Sequence, residues 1–478
     1  MHSTPETTIH RTTTQAQRLR SRDRRQRVTP RAIVGQASVC TELQLRCRAR
    51  QTAPFLRGSV WLLTLLVLPA FTAEPLTLPR ARQLALQNHP QIQTAQALAE
   101  ASEFVPTEIR SRYFPTVNAS ISGTGAPGDN SRILAGGLGN PLILSRIGAG
   151  ATVNQLITDF GRTRHLAESA SLRAKAQNQF TNVTKAQVLL QVTRAFYDAL
   201  RAQAVLKVTA ETVNARQVVV NQVSTLAANK LKSDLDVSFA QVNLDEAKLL
   251  YSNALNDAQS AIAQLNQTLG SNAATTYDLV DDPAIIDLPP DLATLIPEAT
   301  RERPEAQQAR LEIDAAGAFV KAEQDLKKPT ITGVFTTGYS PLHVDKLDNH
   351  WVAGGMNIDL PFLNGGLYNA RRAEAESRQR ATVQAARDVQ NKISRDVRLA
   401  YLAAVNTRES LGLTAELLTQ SEKALRLAQA RYDLGLSTIV ELTQAQLNVT
   451  RAQIAQAGAR YDYQFRRAAL DYELGANR

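Results

Sequence analysis

The sequence lacks cysteine over most of its length. Its two cysteines, Cys40 and Cys47, both lie near the N-terminus of a 478-residue chain. The remaining body therefore has no disulfide and no cysteine-ligated metal site, a composition that an oxidising compartment tolerates. Aromatic residues are also scarce, at 5% of the chain. This scarcity disfavours a bulky globular core and favours close contact between small helix faces.

The chain carries almost no net charge once its first 60 residues are set aside. The formal charge is +10, but residues 1–60 contain 12 arginines, no lysine and three acids, Glu6, Asp23 and Glu42. The other residues hold 54 minus 12 basic and 44 minus 3 acidic side chains, a net charge of +1. A body of this kind lacks the basic surface that nucleic acid requires, so we expect no nucleic-acid partner.

The apolar run Val60–Ala70 is too short to cross a membrane as a helix, which needs roughly 20 residues. It is typical of the apolar region of a secretory signal cleaved near Ala73; a buried helix of a cytosolic protein is the alternative. A signal normally lies at the extreme N-terminus. The Arg-rich stretch before it therefore indicates a start codon assigned too early, and we predict that residues 1–73 are a leader plus signal peptide.

Signals of catalysis or cofactor binding are absent from the sequence. Gly123–Gly128 has the spacing GxGxxG, but Pro127 and the polar residues after it predict a loop rather than a phosphate-binding helix. The six histidines form no HxxxH or HExxH spacing, and neither a nucleophile elbow nor a Walker sequence occurs. We therefore predict no enzymatic activity, no cofactor and no metal.

The second half of the chain repeats the first. Ala195-Phe196 returns 205 residues later as Ala400-Tyr401, and the offset holds without a gap over a long stretch. Upstream the offset becomes 214, since Pro90 pairs with Pro304. We predict one structural unit given twice, in residues 76–270 and 296–478, joined by a linker at 271–295.

Four stretches alternate apolar and polar residues: 117–122, 147–154, 331–336 and 352–360. They predict four strands of about ten residues, each with one apolar face. About ten residues is also the length of a transmembrane β-strand. A half-buried hairpin of a soluble protein shows the same pattern, so the strands alone leave both interpretations open.

The rest of the chain is predicted to be helical. The expected helices are Leu78–Ile109, Arg162–Asn229 and a returning helix ending at Gly270, then Ile296–Leu326, Tyr368–Leu434 and a returning helix ending at Gly475. The two longest contain about 67 residues without proline, and each could reach roughly 100 Å at 1.5 Å per residue. A soluble coiled-coil rod is the alternative, but a rod requires neither amphipathic strand pairs nor a signal sequence.

Closure of the sheet predicts an oligomer if the strands cross a membrane. Four strands cannot close a barrel, and an open edge in lipid leaves backbone groups unsatisfied. Two copies would give eight strands with a filled interior, whereas three give twelve, wide enough for a lumen. The sequence therefore favours a trimeric conduit.

This order of elements resembles the TolC-type outer-membrane efflux proteins. The resemblance covers roughly residues 76–478 and includes Asp159–Arg162, interpreted as closing a β-hairpin, and Arg431–Leu442 at a helical turn. It implies a mainly α chain with a transmembrane β portion, forming a homotrimeric channel-tunnel. A 12-stranded outer-membrane β-barrel, with four strands per chain, would stand on a long α-helical barrel that crosses the periplasm.

The resemblance also implies partners and a mode of transport. A periplasmic adaptor and an inner-membrane pump would dock at the periplasmic entrance, and outer-membrane lipid would surround the barrel. Transport would be passive, with free energy from the pump. A periplasmic adaptor and a non-transporting coiled-coil structural protein are the alternative functions; the adaptor should lack the duplicated strand pairs.

The entrance residues implied by the resemblance are Asp236, Tyr432, Glu441 and Gln444. Glu441 is placed to form a ring of three carboxylates in a trimer, with Gln444 one turn on. Asp236, the repeat partner of Glu441, resembles an acid that holds the entrance closed, and Tyr432 matches a tyrosine partner in such a link. Ser437 stands where relatives have an arginine, which would weaken the closed state.

Both acids have a second interpretation as helix caps. Ser233-x-x-Asp236 and Thr438-x-x-Glu441 fit the capping box, in which the acid satisfies free N–H groups. Capping and a pore-facing role are compatible. The turns before these caps are the expected adaptor contacts: Lys230, Leu231 and Lys232 in the first copy, and Leu434, Gly435, Leu436 and Ser437 in the second.

Overall fold

The computed structural model describes residues 74–124, 146–272, 275–281, 287–289, 292–341 and 348–476. The predicted leader and signal peptide, 1–73, lie outside the described residues. The elements of the first half are β1 (Glu74–Leu76), α1 (Leu78–Asn88), α2 (Pro90–Arg110), β2 (Thr116–Thr124), β3 (Arg146–Thr158), α3 (Arg162–Ala228) and α4 (Asp234–Thr268). Those that follow are β4 (Tyr277–Leu279), α5 (Leu292–Glu302), α6 (Pro304–Gln324), β5 (Thr330–Tyr339), β6 (His350–Asp359), α7 (Leu367–Asp433) and α8 (Ile439–Glu473).

The helix bounds repeat at the two offsets seen in the sequence. Helices α3 and α7 both have 67 residues and begin 205 positions apart, while α4 and α8 both have 35. Helices α1 and α2 recur as α5 and α6, 214 positions later. The chain is thus mostly helical, with one four-stranded sheet among the described residues and a short parallel pair.

The single helix predicted before each strand pair is in fact two helices, separated at a proline. The helical period of the sequence did not indicate this break. His89 adopts an extended conformation (φ −70°, ψ 122°), and Pro90 begins α2. Arg303 and Pro304 repeat this break between α5 and α6. Proline clashes with the preceding turn of a continuous helix but is tolerated at a first helical position, because no N–H is needed there.

Residues 271–295, predicted as a linker, contain β4 and the start of α5. Strand β4 pairs in parallel with β1, Leu76 opposite Leu279. Both leucines join a buried cluster with Phe196 of α3 and Leu265 of α4. The connection between the two halves is therefore held against the middle of α3 and the end of α4.

The long helices are flanked by different partners along their length. Near its start, α3 contacts α6, where Ser169 Oγ donates to Ala315 O at 2.8 Å, and then α2, where Thr181 Oγ1 donates to Ala95 O at 3.0 Å. Further on it contacts α8, where the hydroxyls of Thr212 and Thr450 lie 3.3 Å apart. Most buried residues of α3 are alanine, valine or threonine, which allow close helix approach. Among the described residues, none of the helices is both long and apolar enough to cross a membrane.

The four-stranded sheet is antiparallel in the order β2-β3-β5-β6. Its register places Val117 opposite Val153, Val153 opposite Phe335, and Phe335 opposite Gly354. Because side chains alternate along a strand, this rung and every second rung share one face. That face carries Val117, Ala119, Ile121, Ala149, Ala151, Val153, Phe335, Val352, Met356 and Ile358. The other face is rich in threonine, serine, asparagine and glycine, so the predicted alternation is present in the folded sheet.

Asp159–Arg162 forms the turn from β3 into α3, so its interpretation as a hairpin closure was wrong. Asp159 accepts hydrogen bonds from the N–H groups of Gly161 (3.2 Å) and Thr163 (2.7 Å), which fixes the first turn of the helix. Gly161 adopts a positive φ of 109° at the point where the strand ends and the helix begins. The equivalent turn before α7 uses Gly366, with a φ of 84°.

Candidate functional site at the two hairpin tips

Two long helical hairpins, α3–α4 and α7–α8, end in turns of the same backbone geometry. The N–H groups of Lys230 and Leu231 bond back to the last turn of α3 at 2.8 and 2.9 Å; those of Gly435 and Leu436 bond back to α7 at 3.0 and 2.8 Å. This Schellman closure needs a left-handed residue. Lys230 occupies that position in the first turn (φ 59°) and Gly435 in the second (φ 72°). The first tip therefore carries a strain of roughly 1 kcal/mol that glycine avoids.

Asp236 caps the start of α4 in a complete capping box. The Asp236 N–H donates to Ser233 Oγ at 3.2 Å, and the Ser233 N–H donates to Asp236 Oδ2 at 3.1 Å. The Ser233 hydroxyl also donates to the same carboxylate oxygen at 3.0 Å. A carboxylate at a helix N-terminus is further stabilised by the helix dipole. The geometry thus shows the cap at Asp236.

Glu441 occupies the same position of the second copy but has a different partner. Thr438 Oγ1 accepts from the Glu441 N–H at 3.4 Å, which gives half of a capping box. The Glu441 carboxylate instead lies 3.6 Å from Arg431 Nη1, across the turn. Both side chains are about half exposed. Arg431 therefore offsets part of the negative charge that a ring of three Glu441 carboxylates would have.

Tyr432 is buried between the two hairpins. Its side chain packs in an apolar cluster with Val223 of α3, Leu244 of α4 and Leu442 of α8, and only 3% of its surface is exposed. Lys232 Nζ of the first tip lies over the ring, 4.3 Å from its centroid. The Tyr432 hydroxyl is buried without a hydrogen-bond partner among the described residues. Burial first, and then the carboxylates of Asp236 and Asp433, raise the Tyr432 pKa.

The other predicted residues lie at the surface of the tips, except Ser437. Leu231, Leu434 and Leu436 are exposed leucines on the two turns. Gln444 donates to Asn448 Oδ1 at 3.1 Å on the exposed side of α8. Ser437 Oγ is buried and, within the described part of the chain, has no hydrogen-bond partner. The structure thus brings Lys232, Asp236 and Tyr432 together, while Gln444 lies apart from them.

Sequence reasoning missed a buried arginine about four turns from Lys230 of the first tip. Arg216 of α3 is buried and donates to Gln446 Oε1 of α8. Burial lowers the Arg216 pKa, and the carboxylate of Glu246 opposes that shift. Its repeat partner is Ser421, so the duplication gave no signal. The contact joins the first hairpin to the second within one chain.

The two tips, both within the described residues, hold no cluster of metal-ligating side chains. Over residues 74–476, leaving aside the undescribed gaps, three or more His, Cys, Asp or Glu side chains do not gather at metal-binding distance anywhere. What the tips do contain is charge, exposed leucine and contacts between hairpins. Such groups suit the closing of an opening and the docking of another protein.

Comparison with known proteins identifies the family. The sequence profile of the outer membrane efflux proteins matches residues 81–271 and 295–476, most of the described chain. The chain belongs to the outer membrane efflux protein family. The resemblance predicted from the sequence is therefore confirmed, and so is the location in the outer membrane with extension into the periplasm.

Individual relatives in this family are distant but extensive in coverage. The toluene efflux pump outer membrane protein TtgC of Pseudomonas putida is 26% identical over 365 residues, 73% of each chain. The outer membrane protein TolC of Escherichia coli is 24% identical over 418 residues, 82% of this chain and 81% of TolC. The CmeC outer membrane channel of Campylobacter jejuni superposes with a TM-score of 0.72 at 16% identity, covering 84% and 86% of the two chains.

These comparisons confirm the predicted function. The protein is an outer-membrane channel of efflux or secretion systems. The alternatives, a periplasmic adaptor and a coiled-coil structural protein, are not favoured. The relatives are channel proteins rather than enzymes.

Proposed function

We propose that three copies of this chain close into one channel through edges left open in each copy. The observation that supports this is the sheet, in which β2 and β6 are terminal strands with no outer partner among the described residues. The strand direction alternates across the sheet, so β6 of one copy can pair antiparallel with β2 of the next. Such head-to-tail contacts form a ring when the rotation closes.

Helices at the margins of the helical layer support the same ring. Helix α3 contacts α2, α4, α6 and α8, whereas α4 and α7 each present an uncovered side with large apolar residues. On α4 these are Leu235, Phe239, Val242 and Leu249; on α7 they are Leu399, Leu402, Leu413, Leu417 and Leu427. Extended apolar surface on a folded chain marks an interaction site. We propose that the apolar side of α4 in one copy packs against the apolar side of α7 in the neighbouring copy.

The number three follows from the width of the resulting barrel. Eight strands, from two copies, enclose an interior that side chains fill, whereas twelve leave a lumen. The apolar face of the sheet then contacts lipid, and the face with threonine, serine and glycine lines water. Tyr339 and His350, whose rings are 4.8 Å apart, lie on the apolar face at the loop end, as interfacial aromatics do.

The hairpin tips form the periplasmic entrance in this proposal. Lys232 on the Tyr432 ring and Arg216 on Gln446 join the two hairpins of one copy, and both contacts support a closed state. Asp236 and Glu441 bring acids to the tip, with Glu441 restrained by Arg431. Gln444 extends the polar surface by one turn.

The tips also provide the proposed docking surface for partners. Exposed Leu231, Leu434 and Leu436, together with Lys230, present apolar and basic groups at the end of the molecule. We propose that a periplasmic adaptor binds there and that an inner-membrane pump supplies the free energy, so the channel itself is passive. One relative is named as the outer membrane protein of a toluene efflux pump.

Native mass spectrometry of the detergent-extracted protein tests the stoichiometry. We expect a species of three chains, and planar bilayers containing that species should conduct ions. A dimer, or a monomer that conducts, would contradict the closure argument. Two matched substitutions test the proposed contact between helices. Leu249→Asp on α4 should dissociate the trimer, whereas Leu86→Asp, at an exposed position on α1, should not.

A further inference from the structure

A tryptophan, Trp351, lies on the face of the sheet that is rich in threonine, serine and glycine. Trp351 pairs with Gly338 of β5, which pairs with Gly150 of β3, and Gly150 pairs with Ser120 of β2. This rung alternates with those of the apolar face, so the indole projects on the side with threonine, serine and glycine. Tyr339 and His350, which lie at the loop end of the sheet, belong to the opposite, apolar face. Interfacial anchoring in lipid therefore does not explain Trp351.

Two glycines make room for the indole. A Cβ built at Gly338 would lie 2.6 Å from Cε2 of Trp351, and one at Gly150 would lie 3.1 Å from Cζ2. The Cβ at Gly338 would also lie 2.8 Å from the backbone O of Ala149, so any other residue at Gly338 would displace the ring or the backbone of β3. The indole lies over β5 and β3 of its own chain rather than over the open edge of β6. A neighbouring copy paired with β6 would therefore not cover it.

Trp351 stays partly accessible. The side of Trp351 toward β5 and β3 covers glycine backbone, yet 41% of the residue remains exposed. Nearby on the same face, the hydroxyls of Thr152 and Thr336 lie 3.3 Å apart. A flat aromatic surface next to hydroxyl groups binds neutral planar molecules by stacking, with polar groups at the ring edge.

We propose that Trp351 forms a stacking subsite for neutral aromatic cargo near the outer end of the channel. This inference rests on the proposed function, since only a closed barrel places the polar face in the lumen. Trp351 is the second residue of β6, on the side of the connecting loop and away from the helices. Three indoles would stand at the same height around the lumen and would slow aromatic molecules just before they leave.

The tryptophan content of the chain makes this site directly observable. The sequence contains two tryptophans, Trp61 and Trp351. Trp61→Phe leaves Trp351 as the only tryptophan of the chain, whatever the processing of the leader. In liposomes, acrylamide from water should quench its emission, and brominated phosphatidylcholine should not. Quenching by brominated lipid but not by acrylamide would overturn the assignment of faces, and with it the proposed barrel.

A neutral nitroaromatic, 4-nitrobenzyl alcohol, then tests the subsite itself. We expect saturable quenching with an unchanged fluorescence lifetime, which shows a bound complex, whereas acrylamide shortens the lifetime by collision. Purely collisional quenching by both compounds would leave the proposed barrel standing and refute the subsite.

Variants separate stacking from packing. Trp351→Leu should weaken block of the single-channel current by 4-nitrobenzyl alcohol about two- to tenfold, the range that an aromatic pair supplies. Met356→Leu, on the opposite face of the same strand, should change neither the block nor the saturable quenching. Block that is equal in the parent and in Trp351→Leu would contradict the proposal.

Discussion

Replacing Tyr432 by phenylalanine separates two accounts of how the entrance stays closed. The resemblance to relatives implies that Tyr432 acts through a link to Asp236, whereas the structure shows a buried hydroxyl without a partner and a lysine over the ring. Leaving a hydroxyl buried and unpaired costs about 1–3 kcal/mol. Tyr432→Phe should therefore leave the entrance closed and the tip as stable as before, or more stable.

The alanine variant should behave in the opposite way. Tyr432 fills the cluster between the hairpins, and truncating a large buried aromatic side chain costs about 3–5 kcal/mol. If only the closed state keeps this packing, a loss of about 3 kcal/mol favours opening by roughly a hundredfold. Lys232→Met removes the cation but retains the stem, and should give a smaller change of about 0.5–1 kcal/mol.

Open probability in planar bilayers is the measurement that decides between the accounts. We expect the order Tyr432→Ala, then Lys232→Met, then Tyr432→Phe, with the last close to the parent. Tyr251→Phe, a partly exposed position on α4, controls for loss of a hydroxyl as such. If Tyr432→Phe opens the channel as much as Tyr432→Ala, a hydroxyl hydrogen bond, and not packing of the ring, holds the entrance closed.

Three further outcomes are expected at the tips. Ser233→Ala should speed amide hydrogen exchange at the start of α4, with a loss of about 1 kcal/mol of protection. Thr438→Ala should have a smaller effect at the start of α8, because only Ser233 belongs to a complete capping box. Equal effects of the two substitutions would contradict this. Lys230→Gly should stabilise the first tip by roughly 1 kcal/mol, read as slower exchange there, since it relieves the positive φ. Glu441→Gln should lower block by divalent cations in bilayers, and Arg431→Ala should strengthen it by freeing that carboxylate; unchanged block in both would remove the acid ring.

The long elements could be predicted from the sequence because one strong pattern determines them. The duplication sets the same helix lengths twice, and the absence of proline between Arg162 and Ala228 leaves nothing to interrupt the first long helix. The period-two pattern likewise anticipated which residues share a face of the sheet. In these regions, local preference and tertiary packing favour the same structure.

Other features depend on contacts with distant residues, which the local sequence pattern does not show. Ser-x-x-Asp and Thr-x-x-Glu both predict a capping box, yet only Asp236 completes one because Glu441 lies beside Arg431, ten residues away across the turn. Arg216 looks like an ordinary solvated residue of a polar helix until α8 covers it. Pro90 was visible, but whether a proline kinks a helix or starts a new one depends on the packing of the residue before it.

The matched lengths of the helices restrict how such a chain changes its length over evolution. Helices α3 and α7 contain 67 residues each, and α4 and α8 contain 35 each. Deleting one residue rotates everything beyond it by about 100°, which turns a buried alanine toward solvent. Seven residues restore the phase to within about 20°. Tolerated insertions and deletions should therefore be seven residues long. They should occur in both helices of a hairpin, and in both repeats of the chain together.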